Sequence, residues 1–105
     1  MVKTATIPPG IKVSIIQAAA IMADKAFSPN PVSINVGDTI TWINNDVETH
    51  TVTSGLNFSD PNLVKQFDSG FSGEKQTFSR KFKTPGQSNY FCELHPAMIG
   101  KVSVK

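Results

Sequence analysis

Val32-Ser33-Ile34-Asn35-Val36-Gly37-Asp38-Thr39-Ile40-Thr41-Trp42-Ile43 alternates apolar and polar residues on both sides of a glycine–aspartate pair. Alternation with a period of two marks a half-buried strand, because successive side chains face opposite sides of a sheet. Val32, Ile34 and Val36 share one face of the first strand. Ile40 and Trp42 share one face of the second, over 39–43. Gly37-Asp38 between them predicts a tight hairpin.

The same grammar extends in both directions. Toward the N-terminus, Ile11, Val13 and Ile15 alternate with Lys12 and Ser14. Residues 17–23 are alanine-rich but short and uncapped, so they predict a kink, followed by a strand near 23–27. Pro29-Asn30-Pro31 punctuates the chain. Toward the C-terminus, Asn44-Asn45-Asp46 ends the central strand and His50 opens a short one over 50–54. Asp60-Pro61 reads as an N-cap with proline at the first helical position. It predicts a short helix in the 60–67 region, with Leu63, Val64 and Phe67 facing the core and Gly70 and Gly73 beyond its end. In 77–82, Phe78 and Phe82 share a face with Arg80, a pattern that suits a bulge or a sheet edge. Ser88, Tyr90 and Cys92 share one parity of the next strand, and Val102 and Val104 face inward in 100–104. Short strands separated by Gly, Pro and Asn turns predict an all-β Greek-key β-sandwich. One domain is expected over 1–105, with residues 1–10, ending in Pro8-Pro9-Gly10, as a flexible linker.

Composition narrows the function classes. With 39% hydrophobic and 17% charged residues, the 105-residue chain is globular rather than disordered. The net charge of +2 comes from Lys3, Lys12 and Lys25 against Asp24, and the remainder is balanced. That argues against a nucleic-acid partner. A single cysteine excludes an intrachain disulfide, a cysteine-rich zinc site and an iron–sulfur cluster. No apolar run is long enough to span a membrane. Met1-Val2-Lys3-Thr4 has no apolar segment of a signal peptide, so any leader or membrane anchor is expected to have preceded this numbering.

The chemistry concentrates in Cys92-Glu93-Leu94-His95-Pro96-Ala97-Met98. A thiolate, an imidazole and a thioether follow one another at two-residue gaps. Soft sulfur donors suit Cu(I) and imidazole suits Cu(II), so the set can hold one copper ion in both states. A trigonal site needs a second imidazole, and His50 is the candidate. Two other chemistries stay open. A Cys–His nucleophile–base pair is disfavoured, because a tight loop aims both heads at one centre and no acidic orienter is evident. A Cys/His₂ zinc site with water in the fourth position is possible, but Met98 adds nothing for zinc.

Phe27-Ser28-Pro29, Val36-Gly37-Asp38-Thr39-Ile40-Thr41-Trp42, His50-Thr51-Val52-Thr53-Ser54 and Tyr90 through Val102 together resemble the cupredoxins, the blue copper proteins of plastocyanin/amicyanin type. The resemblance runs from about Ala26 to Val104. The short spacing between His95 and Met98 is closer to amicyanin than to plastocyanin. The resemblance implies His50, Cys92 and His95 as equatorial copper ligands and Met98 as a weak axial one. It implies that Pro96, Ala97 and Ile99 form an apolar docking rim around His95 for redox protein partners. It further implies an electron carrier, a monomer, placed outside the cytoplasmic membrane.

Two positions depart from the family pattern. Thr51 follows His50 where plastocyanins and amicyanins carry asparagine, a threonine shared by bacterial and archaeal relatives with His-Thr-Val-Thr-Ser, and Glu93 follows Cys92 where a small hydroxyl residue or aspartate is frequent. Both are expected beside the ligands. Glu93 and Glu48 are read as solvated surface charges, against a sharper reading in which they serve proton chemistry at a copper-bound water. The alternative function is a copper redox enzyme with a solvent-open position acting on a small molecule such as nitric oxide. Copper storage ranks lower, since delivery needs easy ligand exchange, and a purely structural module leaves the ligand set unexplained.

Overall fold

Alternating β-branched and aromatic residues need a sheet face to bury them, and two faces packed together satisfy that need. The computed structural model describes residues 10–105, so the linker expected at the N-terminus lies, apart from Gly10, outside the described residues. The strands are β1 (Ile11–Ile15), β2 (Phe27–Ser28), β3 (Val32–Ile34), β4 (Thr39–Asn44), β5 (Thr53–Ser54), β6 (Thr77–Lys81), β7 (Gly86–Phe91) and β8 (Ile99–Val104). They form two four-stranded sheets, ordered β2-β1-β4-β6 and β3-β8-β7-β5. Val13, Ile15, Ile40 and Trp42 from the first sheet pack with Val32, Ile34, Tyr90, Val102 and Val104 from the second. Trp42 is the centre, with ring centroids 5.3 Å from Tyr90, 5.7 Å from Phe78 and 5.8 Å from Phe67. Burial pushes the Tyr90 phenol well up, against a smaller opposing effect of the neighbouring Trp42 side chain.

The Gly37-Asp38 turn is not a hairpin. β3 pairs in parallel with β8, Val32 opposite Val102. β4 lies in the other sheet, parallel to β1 and antiparallel to β6. The turn therefore carries the chain from one sheet to the other. Gly37 takes φ 96°, in the region that favours glycine. Asp38 Oδ2 accepts the Asn35 N–H at 2.9 Å. Neighbouring donors reach outward, Val36 N–H to Lys105 O and Gly37 N–H to Phe82 O. Period two reports which face a residue occupies, and either partner strand satisfies it equally.

The helix expected at 60–67 is a chain of turns. Asp60 does cap, accepting the N–H groups of Asn62 and Leu56 at 2.8 Å each. Val64 then takes φ 56°, which breaks helical propagation, and its N–H goes to Ser54 O. Ser54 Oγ accepts the N–H groups of Gln66 and Phe67, so the donors a helix needs are spent on β5. Phe67 is buried as expected, whereas Val64 is exposed. In the N-terminal segment the kink is two 3₁₀ turns, Ala19–Ile21 and Ala23–Lys25, and the strand after it is shorter than expected.

β6 is an edge strand, which explains Arg80. Its guanidinium lies 5.5 Å and 5.6 Å from the Phe67 and Phe82 ring centroids. An inward-turned charge on an edge discourages pairing with another chain. Opposite Tyr90 stands Gly100, where any Cβ would collide with the tyrosine ring. Among the described residues no helix is long and apolar enough to cross a membrane.

Candidate metal centre

His50, Cys92 and His95 come together at one end of the sandwich. One ligand atom from each lies within 4.8 Å of the others. Cys92 Sγ is 3.7 Å from His50 Nδ1 and 3.9 Å from His95 Nδ1. Bonds of ~2.3 Å to sulfur and ~2.0 Å to nitrogen, opened to a trigonal angle of ~120°, place S and N about 3.7 Å apart. The spacing fits one transition-metal ion held between the three groups.

Each donor is held by local structure. Cys92 leaves β7 on the inward parity shared with Ser88 and Tyr90, and it is fully buried. After it the chain closes on itself. His95 N–H donates to Cys92 O, Met98 N–H to His95 O, and Cys92 N–H to Met98 O. Those three bonds bring three residues of graded softness to one short loop. Met98 is fully buried there, and His95 is partly exposed. Thr51 N–H donates to Cys92 Sγ at 3.4 Å, withdrawing charge from the sulfur.

His50 sits on a bridge rather than inside the expected strand. It exchanges both backbone bonds with Ser72, and β5 begins only at Thr53. Its Nε2 lies 2.7 Å from Asp46 Oδ2, with both side chains buried. A carboxylate only accepts, so Nε2 donates to Asp46 and Nδ1 is the ring atom that faces the cysteine, 3.7 Å from its sulfur. Burial alone would raise the Asp46 carboxyl. Hydrogen bonds from His50 and from the Ala18 and Val47 N–H groups outweigh it and hold the carboxyl below its ordinary value. Asn44 braces the same loop, donating to Glu48 O and Ser72 O and accepting the Asp46 N–H.

Asp46, Asn44, Ser72 and Thr53 were not among the residues expected at the site. Asp46 carried a signal, an acidic residue four before a histidine at the end of a strand. Thr53 shares its parity with Thr51. Ser72 lies in an irregular stretch with no pattern to find it by. Pro96 and Ala97 are exposed beside His95, and Ile99 is 44% exposed on β8. Glu48 is exposed. Glu93 is only half exposed, and its carboxylate accepts the Thr53 hydroxyl at 2.8 Å, so it is not a merely solvated charge.

The comparisons with known proteins agree with this geometry. Residues 15–105 match the family model of copper binding proteins, plastocyanin/azurin family. Amicyanin-alpha of Methylorubrum extorquens is 34% identical over 84 residues, covering 80% of this chain and 68% of its own length. A chloroplastic plastocyanin of Tetradesmus obliquus is 32% identical over 88 residues, covering 75% of this chain and 58% of its own. Among solved structures, a purple cupredoxin from Nitrosopumilus maritimus superposes with a TM-score of 0.80 at 28% identity, covering 90% of this chain and 99% of that one. Sandwich, donor set and sequence match converge, and the chain belongs to the copper-binding plastocyanin/azurin family of cupredoxins.

Proposed function

We propose that this protein is a single-copper electron carrier, with His50, Cys92 and His95 as equatorial ligands and Met98 as the axial one. The observation that carries the reading is the prebuilt donor triad, with sulfur 3.7 Å and 3.9 Å from the two imidazole nitrogens. A copper ion held there supplies the one-electron couple. The protein's own residues keep the donors in place. Asp46 fixes the His50 ring, Thr51 N–H fixes the thiolate, and three backbone bonds fix the loop that carries Cys92, His95 and Met98. Donors held this way move little when charge changes, which suits transfer rather than bond-making. Four donors leave no position for a substrate, so the carrier reading stands ahead of a small-molecule enzyme.

His95 is partly exposed at the end of the sandwich and is the exit for the electron. Pro96, Ala97 and Ile99 form the rim on which a redox protein docks briefly, as small apolar contacts allow. The working location is outside the cytoplasmic membrane, as the resemblance to amicyanin implies.

The test is optical. Copper-free protein titrated with Cu(II) should gain strong visible thiolate-to-copper absorption, saturating at a 1:1 ratio as expected for one thiolate site and bleaching with ascorbate. Cys92→Ala should stay folded and colourless. A colourless wild type, or a Cys92→Ala protein of unchanged colour, overturns the assignment.

A further inference from the structure

We infer that Glu93 is a positioning residue for the Cys92 thiolate, acting through a closed ring of hydrogen bonds with Thr51 and Thr53; the inference rests on the copper-site reading above. Glu93 is bound at both ends. Its backbone N–H donates to Thr51 Oγ1 at 2.8 Å. Its carboxylate Oε1 accepts from Thr53 Oγ1 at 2.8 Å. The two threonine hydroxyls lie 2.9 Å apart.

Counting protons gives the ring a direction. A carboxylate accepts only, so the single Thr53 hydroxyl proton is spent on Glu93. Thr51 must then donate to Thr53, and Thr51 Oγ1 is free to accept from Glu93 N–H. Every donor points the same way around, which is the arrangement in which neighbouring bonds polarise one another. Asp68 Oδ1 also lies near Thr53 Oγ1, at 3.3 Å, and competes for the same proton. Glu93 is nearer, while exposed Asp68 accepts Gly70 N–H instead.

Thr51 and Thr53 are buried at 1% and 0% exposure, so their hydroxyls have no water to fall back on. The ring joins the two chain segments that build the site. Thr51 follows His50 and donates its N–H to the cysteine sulfur, and Glu93 follows Cys92. Together they fix the sulfur between its N–H donor and the imidazoles.

The experiment compares wild type with Glu93→Gln, Glu93→Ala, Thr53→Val and the Glu93→Ala/Thr53→Val double variant. Asp68→Asn is the control that removes a nearby charge and spares the ring. In copper-free protein the readout is the rate of Cys92 alkylation by iodoacetamide. In copper-loaded protein it is the thiolate absorption and the rate of copper release to a chelator. Glu93→Ala should speed alkylation and raise copper release about ten-fold, the usual scale for losing a group that orients a metal ligand. Glu93→Gln keeps an acceptor oxygen and should follow wild type, as should Asp68→Asn. Thr53→Val should match Glu93→Ala, and the double variant should be no worse than either, since one ring is broken once.

Three results overturn the inference: Glu93→Ala identical to wild type in both states, Glu93→Gln as impaired as Glu93→Ala, or additive effects in the double variant. If Thr53→Val fails to fold, the Glu93 pair decides alone. If wild type takes up no copper, the carrier reading fails, while the alkylation rates still decide whether the ring holds the cysteine.

Discussion

Asp46 shows how much one buried carboxylate can carry. It accepts from the His50 ring and from the N–H groups of Ala18 and Val47. Asp46→Ala leaves those donors without an acceptor in a buried loop. A hydrogen bond to a charged group of this kind is worth about 2 kcal/mol, and with three lost the apo-protein should lose at least that much stability in urea unfolding. The same change frees the His50 ring to rotate and lets its proton move to the metal-facing nitrogen. Copper affinity should fall about ten-fold or more, as competition with a chelator would measure. The grouping of donors was legible in the sequence because Cys92, His95 and Met98 crowd one loop and only one other histidine exists. The residues that steady it were not. Asp46 looked like part of a turn, and Thr53 reaches Glu93 only after a fold brings together positions far apart in the chain.

Between residues and whole molecule, turns decide where the strands go. The stretch 60–67 has the opening of a helix and the body of a loop, since Ser54 takes the donors that a helix would use. Asp60 anchors that loop, and hydrogen bonds from the Asn62 and Leu56 N–H groups hold its carboxyl below the ordinary value. The sign follows from linkage. A carboxyl depressed in the folded state stabilises the fold above its unfolded pKa, and that contribution is lost as pH falls through the folded value. Asp60→Asn should therefore be less stable than wild type at neutral pH, and the gap should close in strong acid. Urea unfolding midpoints of both proteins across pH would check it. Strand positions were readable for β1, β4, β7 and β8, whose alternation is long enough to show a period. Partner choice was not readable. Val32 to Val36 and Ile40 to Trp42 alternate alike although their strands lie in opposite sheets, because a face pattern carries no address for the neighbouring strand.

At the scale of the molecule, the metal centre is built onto one end of the core, with Cys92 and Met98 belonging to the same buried cluster as Trp42. The Trp42 cluster fills the interior, and the donors sit at one end, held by hydrogen bonds that need no ion. Copper should thus find a folded protein and add to its stability. At a free concentration about 100 times the dissociation constant, binding contributes about 2.7 kcal/mol. The thermal midpoint should rise by about 10–20 °C, and Cys92→Ala should show no rise under the same conditions, by scanning calorimetry. The sheet that bears the cysteine has a further consequence. β3 lies beside β8, Val32 opposite Val102, and β5 beside β7, Thr53 opposite Phe91. Such distant pairings close late and slowly, after long loops have lost their freedom. During synthesis the Cys92–Met98 loop emerges before β8, the strand that completes its sheet. Until the sheet closes, the thiol lacks the Thr51 N–H and the His50 imidazole, which come from a segment 41 and 42 residues earlier in the chain. Metal capture follows folding rather than guiding it, and the compartment where the chain folds must keep a lone thiol reduced until the final strand is in place.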